Sequence, residues 1–301
     1  FETGGAMILR FSHFGHAVKS IDEVLPVYKK LWGLKPSTRT EFPEDWAINA
    51  LLPVGQNYIE LLQPTSQQSS LAKFINQRGE GMYHLSWVVD DVDKEIKSLR
   101  SKGAQVAETP PQTNLITKRG WIHPRSTMGL LIELVDEKLL SHLGHLPKKE
   151  PQPGSQVVAW THVHHVVKNI DQALAMYDRL WGLKAIKRAT TPLQGVKNAI
   201  VRIGKMNYIE LLEPTDPKGL IAKFIEKRGE GLRSFCFTVD NFKSAITSLK
   251  KKGVELYEAS DAPGDFQIKS AWISPKYTRG LLVEICEHRE LLAWQDPELK
   301  L

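Results

Sequence analysis

The chain has 301 residues, 42% apolar and 25% charged, enough for two soluble globular domains with a core each. No apolar run reaches the roughly 20 residues that a bilayer-crossing helix needs, and the +6 formal charge is scattered among acids rather than gathered into a stripe, so neither membrane nor nucleic acid is an expected partner. That mild positive charge suits an anionic small molecule. Both cysteines, Cys236 and Cys286, fall in the second half, which excludes a disulfide framework and makes a reducing cytoplasm the expected location.

Residues 1–6 read as a tag remnant, with Met7 as the native start. Leu9 to Val18 alternates as a strand does. Ser20 then caps a helix, with Glu23 completing a capping box and Gly33 ending it. Three strands follow, over Lys35 to Phe42, Ala47 to Val54 and Tyr58 to Leu62, with a tight turn at Gly55-Gln56-Asn57. A connecting helix spans Leu71 to Arg78. The same order then returns: a strand over Tyr83 to Val89, a helix over Asp91 to Lys102 stopped by Gly103, and strands near Gln105, over Lys118 to Ile122 and over Leu130 to Val135.

All of this is said twice. Leu31-Trp32-Gly33-Leu34-Lys35 returns as Leu180-Trp181-Gly182-Leu183-Lys184, Asn57 to Leu62 returns as Asn207 to Leu212, and Gly79-Glu80-Gly81 as Gly229 to Gly231. The register holds within one residue, which marks a tandem duplication. The expected layout is a first domain over 7–146, a proline-rich and charged linker over 147–156, and a second domain over 157–290. The fold class is α+β: four strand–helix–three-strand (βαβββ) units, paired into two tandem domains.

Subtracting one copy from the other isolates the polar residues that only one half keeps. His13, Glu60 and Glu133 recur as His162, Glu210 and Glu284, whereas His84 faces Ser234 and Glu41 faces Thr190. Glu60 and Glu133 sit within apolar strands that contain no Lys or Arg, and a buried carboxylate is expensive unless something positive meets it. Two histidines and two glutamates at equivalent places in paired units suggest a shared divalent first-row metal: Zn, Co, Mn, Ni or Fe. His13 shares a face with Gly15 and Ala17, and His84 with Ser86, leaving space above each ring. His16 points the other way and reads as packing. His142 and His145 read as solvated residues before the linker, His164 and His165 as flanking the second copy's first strand, Asp265 and Lys269 as a solvated loop. His123 reads as either loop structure or a substrate contact.

These residues carry a family resemblance. Ser12-His13-Phe14-Gly15-His16-Ala17-Val18, Ile59-Glu60-Leu61-Leu62-Gln63-Pro64, Gly79-Glu80-Gly81-Met82-Tyr83-His84 and Gly129-Leu130-Leu131-Ile132-Glu133-Leu134 resemble the vicinal oxygen chelate superfamily of glyoxalase I, extradiol dioxygenases, fosfomycin-resistance proteins and methylmalonyl-CoA epimerase. The likeness runs through each copy almost end to end and is greatest to the epimerase branch, because Leu71 to Gly81 is longer than the connection usual in glyoxalase I.

The resemblance implies curved, cleft-forming mixed sheets, one divalent metal held by His13, Glu60, His84 and Glu133, and Glu41 and Glu133 as two bases. Glu44 is the fallback for Glu41, since the segment departs from the family pattern at Asp45 and at Trp46, where glycine is usual. It further implies α-proton transfer on a chelating acyl thioester such as an acyl-CoA, through a metal-stabilised enolate. The second domain, lacking one ligand and the base, would then be degenerate and would stand in for a partner subunit, giving a monomeric pseudo-dimer. The alternatives are a glyoxalase I-like lyase or isomerase, an extradiol-type dioxygenase, and a non-catalytic small-molecule-binding protein.

Overall fold

The computed structural model describes residues 7–111, 116–143, 154–191, 195–205, 207–259 and 269–295. Residues 1–6, His145, most of the 147–156 segment and Asp265 lie outside them. The first copy runs β1 (Ile8–Ala17), α1 (Ile21–Trp32), β2 (Thr38–Phe42), β3 (Ala47–Val54), β4 (Asn57–Pro64), α2 (Ser70–Arg78), β5 (Gly81–Val89), α3 (Val92–Ser101), β6 (Val106–Thr109), β7 (Arg119–Ile122), β8 (Ile132–Asp136) and α4 (Glu137–His142). The second repeats it as β9 (Ala159–Val166), α5 (Ile170–Trp181), β10 (Ala185–Thr191), β11 (Val196–Ile203), β12 (Asn207–Pro214), α6 (Leu220–Arg228), β13 (Gly231–Val239), α7 (Phe242–Lys251), β14 (Leu256–Ala259), β15 (Ser270–Ile273), β16 (Leu282–Glu287) and α8 (His288–Gln295). Each copy forms one eight-stranded mixed sheet, ordered β2-β3-β4-β1-β5-β8-β7-β6 in the first and β10-β11-β12-β9-β13-β16-β15-β14 in the second. This is the expected α+β architecture, two tandem domains of paired βαβββ units.

Local chemistry sets the elements. The Ser20 hydroxyl accepts from the Glu23 amide at the start of α1, and Gly33 closes that helix in the left-handed conformation. Ile21, Val24, Tyr28, Leu31 and Trp32 form its buried stripe. β2 begins at Thr38 rather than Lys35, because Pro36 has no amide hydrogen to give a ladder. His164 and His165 do not flank β9 but lie within it. The apolar pattern of that strand continues through both positions, on opposite faces.

By contact density the chain also divides into two compact units, each drawing one half from each copy. In the unit built from residues 1–12, 84–146 and 162–233, Trp87 lies 4.7 Å from Trp181, and Lys102 Nζ donates to the Leu180 carbonyl at 2.6 Å. In the unit built from residues 13–83, 147–161 and 234–301, Phe14 meets Phe235 at 4.5 Å and Trp160 at 5.4 Å, and Trp32 meets Phe237 at 5.0 Å. Trp160 also donates its indole N–H to the Tyr58 carbonyl at 3.1 Å. Burying such aromatic clusters supplies much of the apolar stabilisation of each unit.

Candidate metal centre

β1 runs parallel to β4, with Gly15 opposite Glu60 and His13 opposite Tyr58. Alternation along β1 turns Phe14 and His16 to the helix side and His13, Gly15 and Ala17 to the other face. His16 follows the expected packing role: it is fully buried, and its ring contacts the Tyr28 hydroxyl at 3.0 Å and the Arg279 carbonyl at 2.7 Å. A carbonyl only accepts, so Nε2 carries the proton and Nδ1 accepts from Tyr28. Burial lowers its pKa to about 4, keeping the ring neutral.

On the opposite face, His13 Nε2 lies 3.2 Å from Glu60 Oε2. The second Glu60 oxygen, Oε1, accepts from Asn49 Nδ2 at 2.7 Å. Asn49 reaches it from β3, which pairs antiparallel with β4 so that Leu51 opposes Glu60 and Asn49 opposes Leu62. The amide therefore occupies one carboxylate oxygen and aims the other at the imidazole. At the far end of this face, Leu71 and Ile75 of α2 pack over Ala17, Ala47 and Leu62, with Phe74 and Tyr83 beside them. Tyr83 donates its hydroxyl hydrogen to Ser70 at 3.0 Å.

β5 and β8 carry the second pair. Their parallel register sets Ser86 opposite Glu133, and His84 Nε2 lies 3.9 Å from Glu133 Oε2. No cation lies within β8 itself, but β7 brings one: Arg119 Nη1 donates to Glu133 Oε1 at 3.3 Å. The Arg119 guanidinium also stands 5.6 Å from the Trp121 ring, and Trp121 makes an edge contact with His84 at 5.3 Å. Both glutamates thus follow one plan, with Oε1 held by an N–H donor and Oε2 beside an imidazole.

His13, His84 and Glu133 are buried, and each imidazole has a carboxylate beside it, Glu60 for His13 and Glu133 for His84. Ligand atoms bound at about 2.0–2.2 Å to a single ion lie no more than about 4.4 Å apart, a spacing that both pairs meet. Imidazole and carboxylate donors fit a divalent first-row metal. In the second copy, the donor atoms of Cys236, Glu284 and Cys286 lie within 4.8 Å of one another.

Glu41 is not brought to this face. β2 pairs with β3 so that Glu41 opposes Ile48 while Thr40 opposes Asn49, and Ile48 in turn opposes Gln63. Thr40 and Phe42 therefore share the face of Glu60, and Glu41, which is exposed, takes the other. Glu44 is also exposed, in the single 3₁₀ turn Pro43–Asp45, where strand alternation imposes no face. The turn ends at Trp46 in the left-handed conformation with φ 51°, which explains why a glycine suits that position. His123 is loop structure: its Nδ1 accepts from the Arg125 amide at 3.1 Å and caps the turn before β8. His142 and Lys269 are exposed.

Sequence reasoning missed Asn49, Arg119 and His164. Each acts from a neighbouring strand or a face that only pairing register defines. An amide set between Ile48 and Ala50 is the signal that could have found Asn49.

A family model of the Glyoxalase/Bleomycin resistance protein/Dioxygenase superfamily matches residues 12–118 and again 161–271. Protein YqjC of Bacillus subtilis is 31% identical over 126 residues, covering 42% of this chain and 89% of that protein. The mitochondrial methylmalonyl-CoA epimerase of Homo sapiens is 30% identical over 125 residues, covering 41% of this chain and 70% of the epimerase. A mutant 4-hydroxymandelate synthase from Streptomyces coelicolor superposes with a TM-score of 0.71 at 16% identity, over 94% of this chain and 93% of the synthase, a likeness of fold.

Proposed function

Since this chain belongs to the Glyoxalase/Bleomycin resistance protein/Dioxygenase superfamily, we propose that its first copy is a metal-dependent isomerase that transfers an α-proton on a chelating acyl thioester, with an acyl-CoA as the substrate class. The observation that carries this reading is a pair of imidazole–carboxylate couples, His13 with Glu60 at 3.2 Å and His84 with Glu133 at 3.9 Å. His13, Glu60, His84 and Glu133 would hold the ion. A divalent metal there supplies Lewis-acid stabilisation of the charge that develops on the thioester carbonyl oxygen as the α-proton leaves. The 30% identity to a methylmalonyl-CoA epimerase supports the thioester.

The chain's own residues supply the rest. Asn49 fixes the rotamer of Glu60, so that the ligand arrives pre-oriented. Arg119 donates to Glu133 Oε1 and so orients Oε2, the oxygen that would take the α-proton. Burial of His13, His84 and Glu133 keeps bulk water from competing for that proton. Return of a proton to the opposite face of the substrate carbon needs a second group. Glu44 takes that role in preference to Glu41, whose strand register directs it away.

The test is deuterium wash-in at the α-carbon of methylmalonyl-CoA in D₂O with cobalt-loaded protein, alongside metal content of the same samples. Wild type should exchange the α-hydrogen, and His84→Ala should lose both exchange and the metal of this site. A metal-loaded protein that leaves the α-hydrogen untouched, yet converts the methylglyoxal–glutathione hemithioacetal or consumes oxygen with a catechol, would overturn the reading in favour of a lyase or a dioxygenase.

A further inference from the structure

Ser234 stands where the first copy has His84, which by itself marks the second copy as one ligand short. The second sheet supplies a second histidine from a different strand. β9 pairs parallel with β12 so that His164 opposes Glu210, the place where Gly15 opposes Glu60 in the first copy. His162 lies two residues earlier, on the same face. Both His162 Nε2 and His164 Nε2 stand 3.5 Å from one atom, Glu210 Oε2. The two rings are 4.8 Å apart and inclined at 77°. Asn198 Nδ2 donates to the remaining Glu210 oxygen at 2.9 Å, as Asn49 does to Glu60. His162, His164, Glu210 and Asn198 are all buried.

We propose that the second copy holds a divalent metal of its own, ligated by His162, His164 and Glu210, a site in which the missing histidine has moved from β13 to β9. Two imidazoles and an oriented carboxylate oxygen form a borderline donor set, suited to zinc or cobalt. The inference goes beyond the activity proposed for the first copy and does not depend on it. The position above β9 that Gly15 leaves without a side chain in the first copy is filled here by the His164 imidazole. A protein donor therefore stands where the first copy leaves space for a substrate. Its role is structural: a metal that binds only the folded β9–β12 pair stabilises it by mass action.

The test uses the full chain, stripped with chelator, equilibrated with zinc, and analysed for bound metal by mass spectrometry and chelator competition. Wild type should retain two zinc ions per chain. His164→Gly, which restores what the first copy carries at Gly15, and the isosteric Glu210→Gln should each retain one, with unchanged circular dichroism. His84→Ala should also retain one, the zinc of the second copy, and zinc should still raise its melting temperature. A wild type with a single zinc that His84→Ala removes and His164→Gly keeps would overturn the second site and leave the first standing. Two zinc ions in His84→Ala would instead sink the first-copy reading alone. In cobalt-loaded His84→Ala, a near-ultraviolet thiolate charge-transfer band would place the metal at Cys236 and Cys286, overturning the assigned ligands.

Discussion

Nε2 of His16, on β1 of the first copy, donates to the carbonyl oxygen of Arg279, in the turn before β16 of the second, at 2.7 Å. The repeat reproduces the bond in mirror fashion, with His165 Nε2 2.8 Å from the Met128 carbonyl. Arg279 and Met128 both hold positive φ, 52° and 50°, a conformation that non-glycine residues adopt at a cost. Each buried imidazole thus pins a strained turn contributed by the other copy.

Burial of the His16 imidazole makes stability depend on pH. Burial lowers the His16 pKa to about 4, whereas an unfolded histidine titrates near 6.5, so unfolding takes up a proton between those values. The contribution is fully present above pH 6.5 and is lost as pH falls through about 4, amounting to about 3 kcal/mol. Urea unfolding at pH 7 and pH 4.5 should reveal the loss, and His16→Gln should flatten the profile. Identical pH slopes for wild type and variant would rule this out.

The turn beside Met128 tolerates no side chain. A Cβ on Gly129, where φ is 92°, would fall 1.9 Å from the Glu230 carbonyl oxygen. Gly129→Ala should cost more than about 2 kcal/mol, combining backbone strain with a clash against main chain. Gly103 has φ 83° and nothing within 4 Å of the added carbon, so Gly103→Ala should cost only about 1 kcal/mol. Comparing urea midpoints of the two variants checks the difference.

Asn49 should govern metal affinity without being a ligand. Removing its 2.7 Å hydrogen bond to Glu60 frees the carboxylate to rotate, and loss of such an outer partner typically weakens metal binding about 10- to 100-fold. Asn49→Ala should show that loss in chelator competition for the first-copy site. Unaltered affinity would mean that Glu60 needs no orientation.

The two exposed glutamates of the β2–β3 segment should separate cleanly. Glu41→Gln should retain most deuterium exchange, because its register faces it away from Glu60. Glu44→Gln should lower exchange about 10²-fold or more, the usual contribution of a general acid or base. Both should bind metal as wild type does. The reverse ranking of the two would return the second base to Glu41.

Much of the fold was legible in the chain order of its residues. Ser20 and Gly33 bound α1 because capping is a contact within one turn, and β3 spans Ala47–Val54 because alternation is local. The duplication, the four βαβββ units and the candidates His13, Glu60, His84 and Glu133 follow from the same local patterns, and the first sheet places His13 and His84 on its two central strands.

What the sequence could not supply is register, the alignment of one strand against the next. Glu41 and Thr40 differ by one residue, yet only the β2–β3 pairing decides which of them shares a face with Glu60. Arg119 and Asn49 reach their glutamates from adjacent strands, and His164 replaces an absent histidine because β9 sets it opposite Glu210. Repeat spacing likewise does not reveal that each compact unit joins a half of one copy to a half of the other. Capping and alternation are fixed by bonds between near neighbours in the chain. Pairing register and the packing of halves are fixed by contacts between residues far apart in it, which only the folded chain brings together.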